Sequence, residues 1–244
     1  MLPFDLNCDL GEGLPNDHLI LPYITSANTA CGYHAGNAEI MKVLVDLCLE
    51  SGVLIGAHPS YPDKENFGRK DLIDVSLKPE DLPAIIYEQL SALDKICKDA
   101  GTCIHHVKPH GALYNRAAWD ECVAGFICTA LLEFDPSLVL YGLSNSGVMR
   151  AAKDVGLKFM NEVFADRTYQ DDGSLTPRSL PDALILNVDN CIGQVSQMVN
   201  DQTVLSMNGK LIHIIPDTIC IHGDGKHAVE FVKAIGATFQ NMGK

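Results

Sequence analysis

NAEIMKVLVDLCLESGVLIGAHP, residues 37–59, contains one complete helix-and-strand unit. Ile40, Val43, Leu44, Leu47 and Cys48 recur at i, i+3 and i+4, the spacing of a single helix face, so a helix is predicted over Asn37–Ser51. Gly52 stops it. Val53–Ala57 is then a short apolar run of the kind that forms a strand covered on both faces. His58-Pro59 places a titratable ring where that strand ends.

The alternation continues in both directions. Helices are predicted over Pro79–Ala100 (apolar at Leu82, Ile85, Ile86, Leu90, Leu93 and Ile96), Trp119–Phe134, Ser146–Val155 and Lys226–Phe239. Further strands are predicted at Phe4–Cys8, Ile24–Thr29, Cys103–Val107, Leu138–Gly142, Lys158–Val163 and Thr218–His222. Seven such strands between helices indicate an α/β protein with a parallel sheet, closed into a barrel or open. Thr203–Ile215 differs: Asn208-Gly209 between two apolar runs is a hairpin signal, an antiparallel addition near 203–215. All 244 residues read as a single barrel-like domain, 1–244.

The formal net charge is −13, with 18 Lys and Arg against 31 Asp and Glu. Binding nucleic acid or an anionic membrane surface needs the opposite balance. Nine cysteines are scattered without any C-x-x-C pair, which reads as reduced core residues rather than a disulfide frame or a zinc ribbon. The opening residues lack the basic flank of a signal peptide, and no apolar run is long enough for a membrane helix, so a cytoplasmic location is expected. Neither G-x-G-x-x-G after the first strand nor G-x-x-x-x-G-K-[ST] occurs.

Polar and ionisable residues gather where the strands end: Asp9 and Glu12 after the first, Asn28 and His34 after the second, and His58 after the third. Lys108, His110 and Asn115 follow the fourth, Asp166 and Arg167 the sixth, and His222 the last. C-terminal strand ends of parallel α/β folds share one mouth, where ligands bind. Lys108 follows a buried strand, so its ammonium needs an anionic ligand or a carboxylate partner. His105 and His106 are adjacent and point to opposite faces of a strand, so at least one is structural. Phe164–Pro181 is a long polar loop in which Arg167 and Arg178 form a candidate clamp for a carboxylate. Arg69 reads as a surface cation unless its loop folds over the mouth.

Several ordered motifs carry a resemblance. They are DLNCDLGEG at 5–13, TSAN at 25–28, ACGYHAG at 30–36, IGAHP at 55–59, FGR at 67–69, HVKPHGALYN at 106–115, EVFADR at 162–167 and DTICIHGD at 217–224. Together they resemble the LamB/YcsF family, from about residue 4 onward. Cys8, Tyr33 and Ser60 are mild departures, standing where alanine, phenylalanine and glycine are common.

The resemblance implies a seven-stranded (β/α) barrel-like fold related to the glycoside hydrolase/deacetylase group. It also implies opening of a lactam, 5-oxo-L-proline to L-glutamate, with ATP as co-substrate together with Mg²⁺. The working enzyme would contain two further subunits, B and C, of a 5-oxoprolinase. The catalytic candidates are Asp9, Glu12, His58, Lys108, His110 and His222, with Lys108 expected to hold an anion and His110 or His222 to move a proton. The substrate-binding candidates are Asn28, His34, Arg69, Asn115, Asp166, Arg167 and Arg178. Two alternatives stand beside this reading: a metal-dependent hydrolase using Asp9, His58 and His110, and a subunit that binds the lactam without catalysis.

Overall fold

The computed structural model describes residues 2–240 of the chain. Seven parallel strands close into a barrel in the order β1 (Asp5–Leu10), β2 (Ser26–Ala30), β3 (Leu54–His58), β4 (His106–Val107), β5 (Val139–Leu143), β6 (Lys158–Phe164) and, after the hairpin, β9 (Thr218–His222). The strand order follows the chain, and β9 closes the ring by pairing with both β6 and β1. Around it lie α1 (Asp17–Ile20), α2 (Ala38–Ser51), α3 (Leu82–Asp99), α4 (Gly111–Trp119), α5 (Glu121–Phe134), α6 (Gly147–Asp154), α7 (Val188–Asp201) and α8 (Ala228–Phe239). β7 (Thr203–Leu205) and β8 (Leu211–His213) form the antiparallel hairpin expected around Asn208-Gly209, with Gly209 at φ 81°.

Period-two alternation explains the two faces of the barrel wall. Leu6, Cys8, Leu10, Ile55, Ala57, Val107, Leu140, Val163, Ile219 and Ile221 are buried in the apolar layer shared with the helices. Their neighbours Asn7, Asp9, Asn28, His58, His106, Lys108, Glu162 and Thr218 are buried too, and they bond to one another across the barrel. Barrel interiors are more often filled by Val, Ile and Leu. A polar interior is tolerable only where its donors and acceptors are paired. Gly56 is required by this filling: a Cβ there would lie 2.1 Å from His106 Nε2, inside the ring that occupies the bore.

Several details differ from the sequence reading. The helix expected over Trp119–Phe134 starts later: Trp119 ends α4, and Asp120 caps α5 by accepting from the amides of Cys122 and Val123 at 3.0 and 3.2 Å. α2 buries Met41, Leu44, Val45 and Cys48, whereas Val43, on the predicted face, is 59% exposed. Both stripes are apolar, and barrel packing selects between them. α7, with three Val, two Asn, two Asp and one Gly, was hidden by weak helix propensity although Cys191, Val195 and Met198 keep the helical spacing. The cysteines carry free thiols as expected, but Cys103 and Cys122 lie on the surface rather than in the core. Among the described residues no helix is long and apolar enough to cross a membrane.

Candidate active site

A cavity of about 840 Å³ opens at the C-terminal ends of the strands, within the usual range for small-molecule sites. Asp9, Glu12, His58, Lys108 and His110 lie deep in it. His222 and Arg167 line its wall, and Arg69, Asn115, Arg178 and Asp224 lie toward the rim. The sequence signal brought these residues to one place because each follows a strand that ends at the same mouth.

Lys108 Nζ lies 2.8 Å from Asp9 Oδ1 and 2.9 Å from Glu162 Oε1, and it is 3.0 Å from Cys220 Sγ. Burial alone would lower its pKa, but Asp9, Cys220 and Glu162 hold it well above the ordinary lysine value. Of the two partners that the buried ammonium required, the structure supplies the carboxylates, so the side chain is not free to receive a substrate anion. Burial would raise the Asp9 pKa, yet His58 and Lys108 together hold this carboxyl well below the usual range. Asp9 Oδ1 also accepts from Asn28 Nδ2 at 2.7 Å.

Asn28 is itself fully engaged. Its amide donates to Asn7 as well as Asp9, and its Oδ1 meets His106 Nε2 at 2.8 Å. It shapes the floor from below, without the free groups expected of a substrate contact. Burial, with Asp9 and Asp224 nearby, pushes Glu12 up to about 9. Glu12 Oε1 is 3.2 Å from His34 Nε2 and 3.5 Å from His110 Nδ1. The rings of His34 and His110 stack at 3.8 Å, and His110 Nδ1 is 2.9 Å from His58 Nε2. Burial is also what lowers the pKa of His34, to about 2, and that of His110.

Of the metal candidates read from sequence, His58 and His110 meet, while Asp9 is held by Lys108 and Asn28 and stands 3.4 Å from His58 Nε2. Ligand-type atoms of Glu12, His34, His58 and His110 all lie within 4.8 Å of one another, so this is the set best placed to share an ion.

Across the cavity, His222 Nδ1 is 3.0 Å from Asp166, and the same carboxylate accepts from the His222 amide. Asp166 therefore orients a catalytic-type ring instead of facing the cavity itself. Burial opposes its charge, but His222 holds the Asp166 carboxyl below its ordinary value. Phe164 stacks against the His222 ring.

The loop after β6 folds over the cavity as expected of a binding loop. Arg167 pins it from inside, donating to the carbonyls of Thr176 and Ala183 at 2.6 and 3.2 Å. Burial and the neighbouring Arg178 bring Arg167 down to about 10. The hairpin anchors the loop from outside through Ser206, Asn208 and Lys210 on Asp171. The loop carrying Arg69 does fold over the mouth: Arg69 and Arg178 both approach Asp224 Oδ2, the latter at 3.8 Å.

Several contributors escaped the sequence reading. Glu162 and Cys220 surround Lys108, and Tyr114 and Phe164 present ring faces to it at 6.0 and 5.3 Å. Gln89 on α3 grips the amide and carbonyl of Ser60 at 2.9 Å each, fixing the segment after His58. The turn Ser144–Gly147 after β5 lines the cavity as well. Its strand-turn-helix pattern of small polar residues was a readable signal.

A closed parallel barrel with a buried histidine–carboxylate floor defines an α/β-barrel protein with an enzyme-like site. The LamB/YcsF family model matches residues 4–244, and the chain belongs to that family. It is 47% identical to the A subunit of 5-oxoprolinase from Geobacillus thermodenitrificans, an alignment covering 100% of this chain and 95% of that one. It is also 47% identical to the A subunit of 5-oxoprolinase from Bacillus subtilis, over 96% and 92% of the two chains. Among solved structures it is similar to the lactam utilization protein of Thermus thermophilus, with TM-score 0.90 and 36% identity over 98% and 97% of the chains.

Proposed function

We propose that this chain is the A component of an ATP-dependent 5-oxoprolinase, a hydrolase that opens the cyclic amide of 5-oxo-L-proline to L-glutamate. The observation that carries the reading is near-complete alignment, at 47% identity, with relatives bearing that name. The site agrees chemically, with a buried carboxylate–histidine floor beneath a rim of arginines. ATP, with Mg²⁺, is the co-substrate, and subunits B and C are the partners.

A five-membered lactam is a stable amide. Transfer of the terminal phosphoryl group of ATP to the amide oxygen would release ADP and leave a carbon open to water. Attack by water, opening of the C–N bond and loss of phosphate then give glutamate. In this chain the rim cations Arg69 and Arg178 receive the substrate carboxylate, their shared contact with Asp224 keeping them in place. Lys108 acts by positioning Asp9. Asp9, through the carboxylate oxygen that Lys108 and Asn28 leave free, holds the attacking water. His222, with Nδ1 committed to Asp166, offers its other nitrogen to the cavity and passes a proton to the leaving nitrogen. The proton-carrying role falls to His222 rather than His110, because both ring nitrogens of His110 are engaged within the protein.

The test is release of ADP and glutamate from 5-oxoproline and ATP, measured for the chain alone and with subunits B and C. Release only when all three are present, and its loss when this chain is omitted, is the expected result. Full turnover without this chain overturns the reading.

A further inference from the structure

Each of the three histidines at the floor has one ring nitrogen committed to a group that accepts a proton. His58 Nδ1 lies 2.7 Å from the carbonyl oxygen of Lys108, and His110 Nε2 lies 2.9 Å from that of Phe67. A carbonyl can only accept, so these two nitrogens carry the hydrogens. Ser60 Oγ donates to the carbonyl of Tyr61 at 2.9 Å and therefore accepts from His34 Nδ1 at 3.1 Å.

In the neutral rings the other three nitrogens, His34 Nε2, His58 Nε2 and His110 Nδ1, then present lone pairs. They converge with Glu12 Oε1 on one spot. His58 Nε2 and His110 Nδ1 face each other at 2.9 Å, and Glu12 Oε1 stands 3.2 Å from His34 Nε2. Acceptors aimed at acceptors repel unless something positive sits among them.

We propose that Glu12, His34, His58 and His110 bind a single divalent transition-metal ion. Two nitrogens each about 2.1 Å from a metal and at right angles to it stand about 3 Å apart, close to the His58–His110 spacing. Imidazole ligands held from behind by carbonyl or hydroxyl acceptors are the usual arrangement around such an ion. Three imidazoles and one carboxylate favour Zn²⁺, Mn²⁺, Fe²⁺, Co²⁺ or Ni²⁺ over Mg²⁺ or Ca²⁺, which prefer all-oxygen sets. With an ion bound and Glu12 ionised the charges agree: the carboxylates of Asp9, Glu12 and Glu162 gather near the ammonium of Lys108, which bonds to Asp9 and Glu162. A dication would balance them. The ion would lie beside Asp9, at the base of the cavity. The site is independent of which amide the chain opens, so it stands or falls separately from the 5-oxoprolinase reading.

The test uses the untagged full-length chain. Elemental analysis after purification, and titration of the chelator-treated chain with Co²⁺ and Zn²⁺, measure stoichiometry and affinity. X-ray absorption on the zinc-loaded protein reads the ligand shell. One ion per chain, an imidazole-rich shell without sulfur, and binding at least about tenfold weaker in Glu12→Gln and His110→Asn are expected. Circular dichroism confirms that the variants are folded. The absorption spectrum needs no variant, so it decides the matter even where a substitution unfolds the chain. A sulfur-containing shell, undiminished binding in both folded variants, or no ion bound by the wild-type chain each overturns the proposal. In the last case a proton shared between His58 and His110 is what separates their lone pairs.

Discussion

Toward the N-terminal ends of the strands, Asp5 accepts from Thr25, Ser26 and Thr218, Thr218 accepts from Asn7, and Asn7 accepts from Asn28, which in turn meets His106. Donor follows acceptor without interruption, and the His106 ring stacks on Tyr141 at 4.1 Å. At the opposite ends the interior is just as buried but is not saturated. Ring nitrogens of His34, His58 and His110 and a carboxylate oxygen of Glu12 converge within 4.8 Å of one another, and those of His58 and His110 face each other at 2.9 Å. Burial and polarity are therefore common to both halves and do not mark function. Incomplete pairing does: a saturated network holds the barrel closed, while an unsaturated one is built for something that is not protein.

Lys108 is the severest test of that contrast, because it belongs to both halves. Lys108→Met removes the ammonium bonded to Asp9 and Glu162, leaving two buried carboxylates without it. Destabilisation of about 3–5 kcal/mol is expected, together with loss of turnover. Urea unfolding of the variant measures the first. Near wild-type stability would show that the carboxylates take up protons cheaply and that the floor is softer than its geometry suggests.

His222 lies on the functional side alone. Its side chain is partly exposed and its main partner is Asp166. His222→Gln in the assembled enzyme is expected to lower kcat by roughly 10²- to 10⁴-fold, the range for a general acid–base group, while the thermal midpoint stays close to wild type. A large loss of stability with kcat intact would move His222 to the structural half.

The sequence reading located the barrel and its mouth because strand periodicity and strand-end chemistry are local signals. Asp9, His58, His110 and His222 were legible for that reason. Cross-barrel pairing was not. Asp9 and Lys108 are 99 positions apart, and only closure of the ring shows that they satisfy each other. The same applies to Asn28, which looked like a substrate contact until Asn7, Asp9 and His106 were seen to use both ends of its amide. Glu162 was overlooked because a carboxylate within a strand, unlike one in a glycine-rich turn, gives no local cue. α4 was missed because Gly111 and the polar residues around it resemble a loop until His110 is seen at the helix start.

Gly56 tests the saturated half. In Gly56→Ala the new methyl would overlap the His106 ring, so the ring or the strand must shift. A cost of about 1–3 kcal/mol is expected from overpacking. Combining it with His106→Ala should recover much of that cost if the clash is the cause. A strictly additive double variant would assign the role of Gly56 to the strand backbone instead.

The smallest effect is a pH dependence that separates the halves by titration. Burial, followed by His105, Lys108 and His58, lowers the His106 pKa well below 6.5, and Asp9 opposes this only in part. The folded state thus keeps His106 neutral, whereas the unfolded chain takes up a proton near pH 6.5. Stability from this group is complete above that value. It declines as pH falls below it, by up to about 1.4 kcal/mol per pH unit, until the folded-state pKa is reached. His34 and His110 add slopes of the same sign in the ion-free chain. Comparing unfolding free energies of His106→Gln and the wild type from pH 7 downward isolates the His106 share: the variant should show a shallower decline below pH 6.5 and a parallel curve above it. Identical slopes would mean that the ring is already protonated in the folded barrel, and that the lower network is not the closed set of neutral hydrogen bonds its geometry describes.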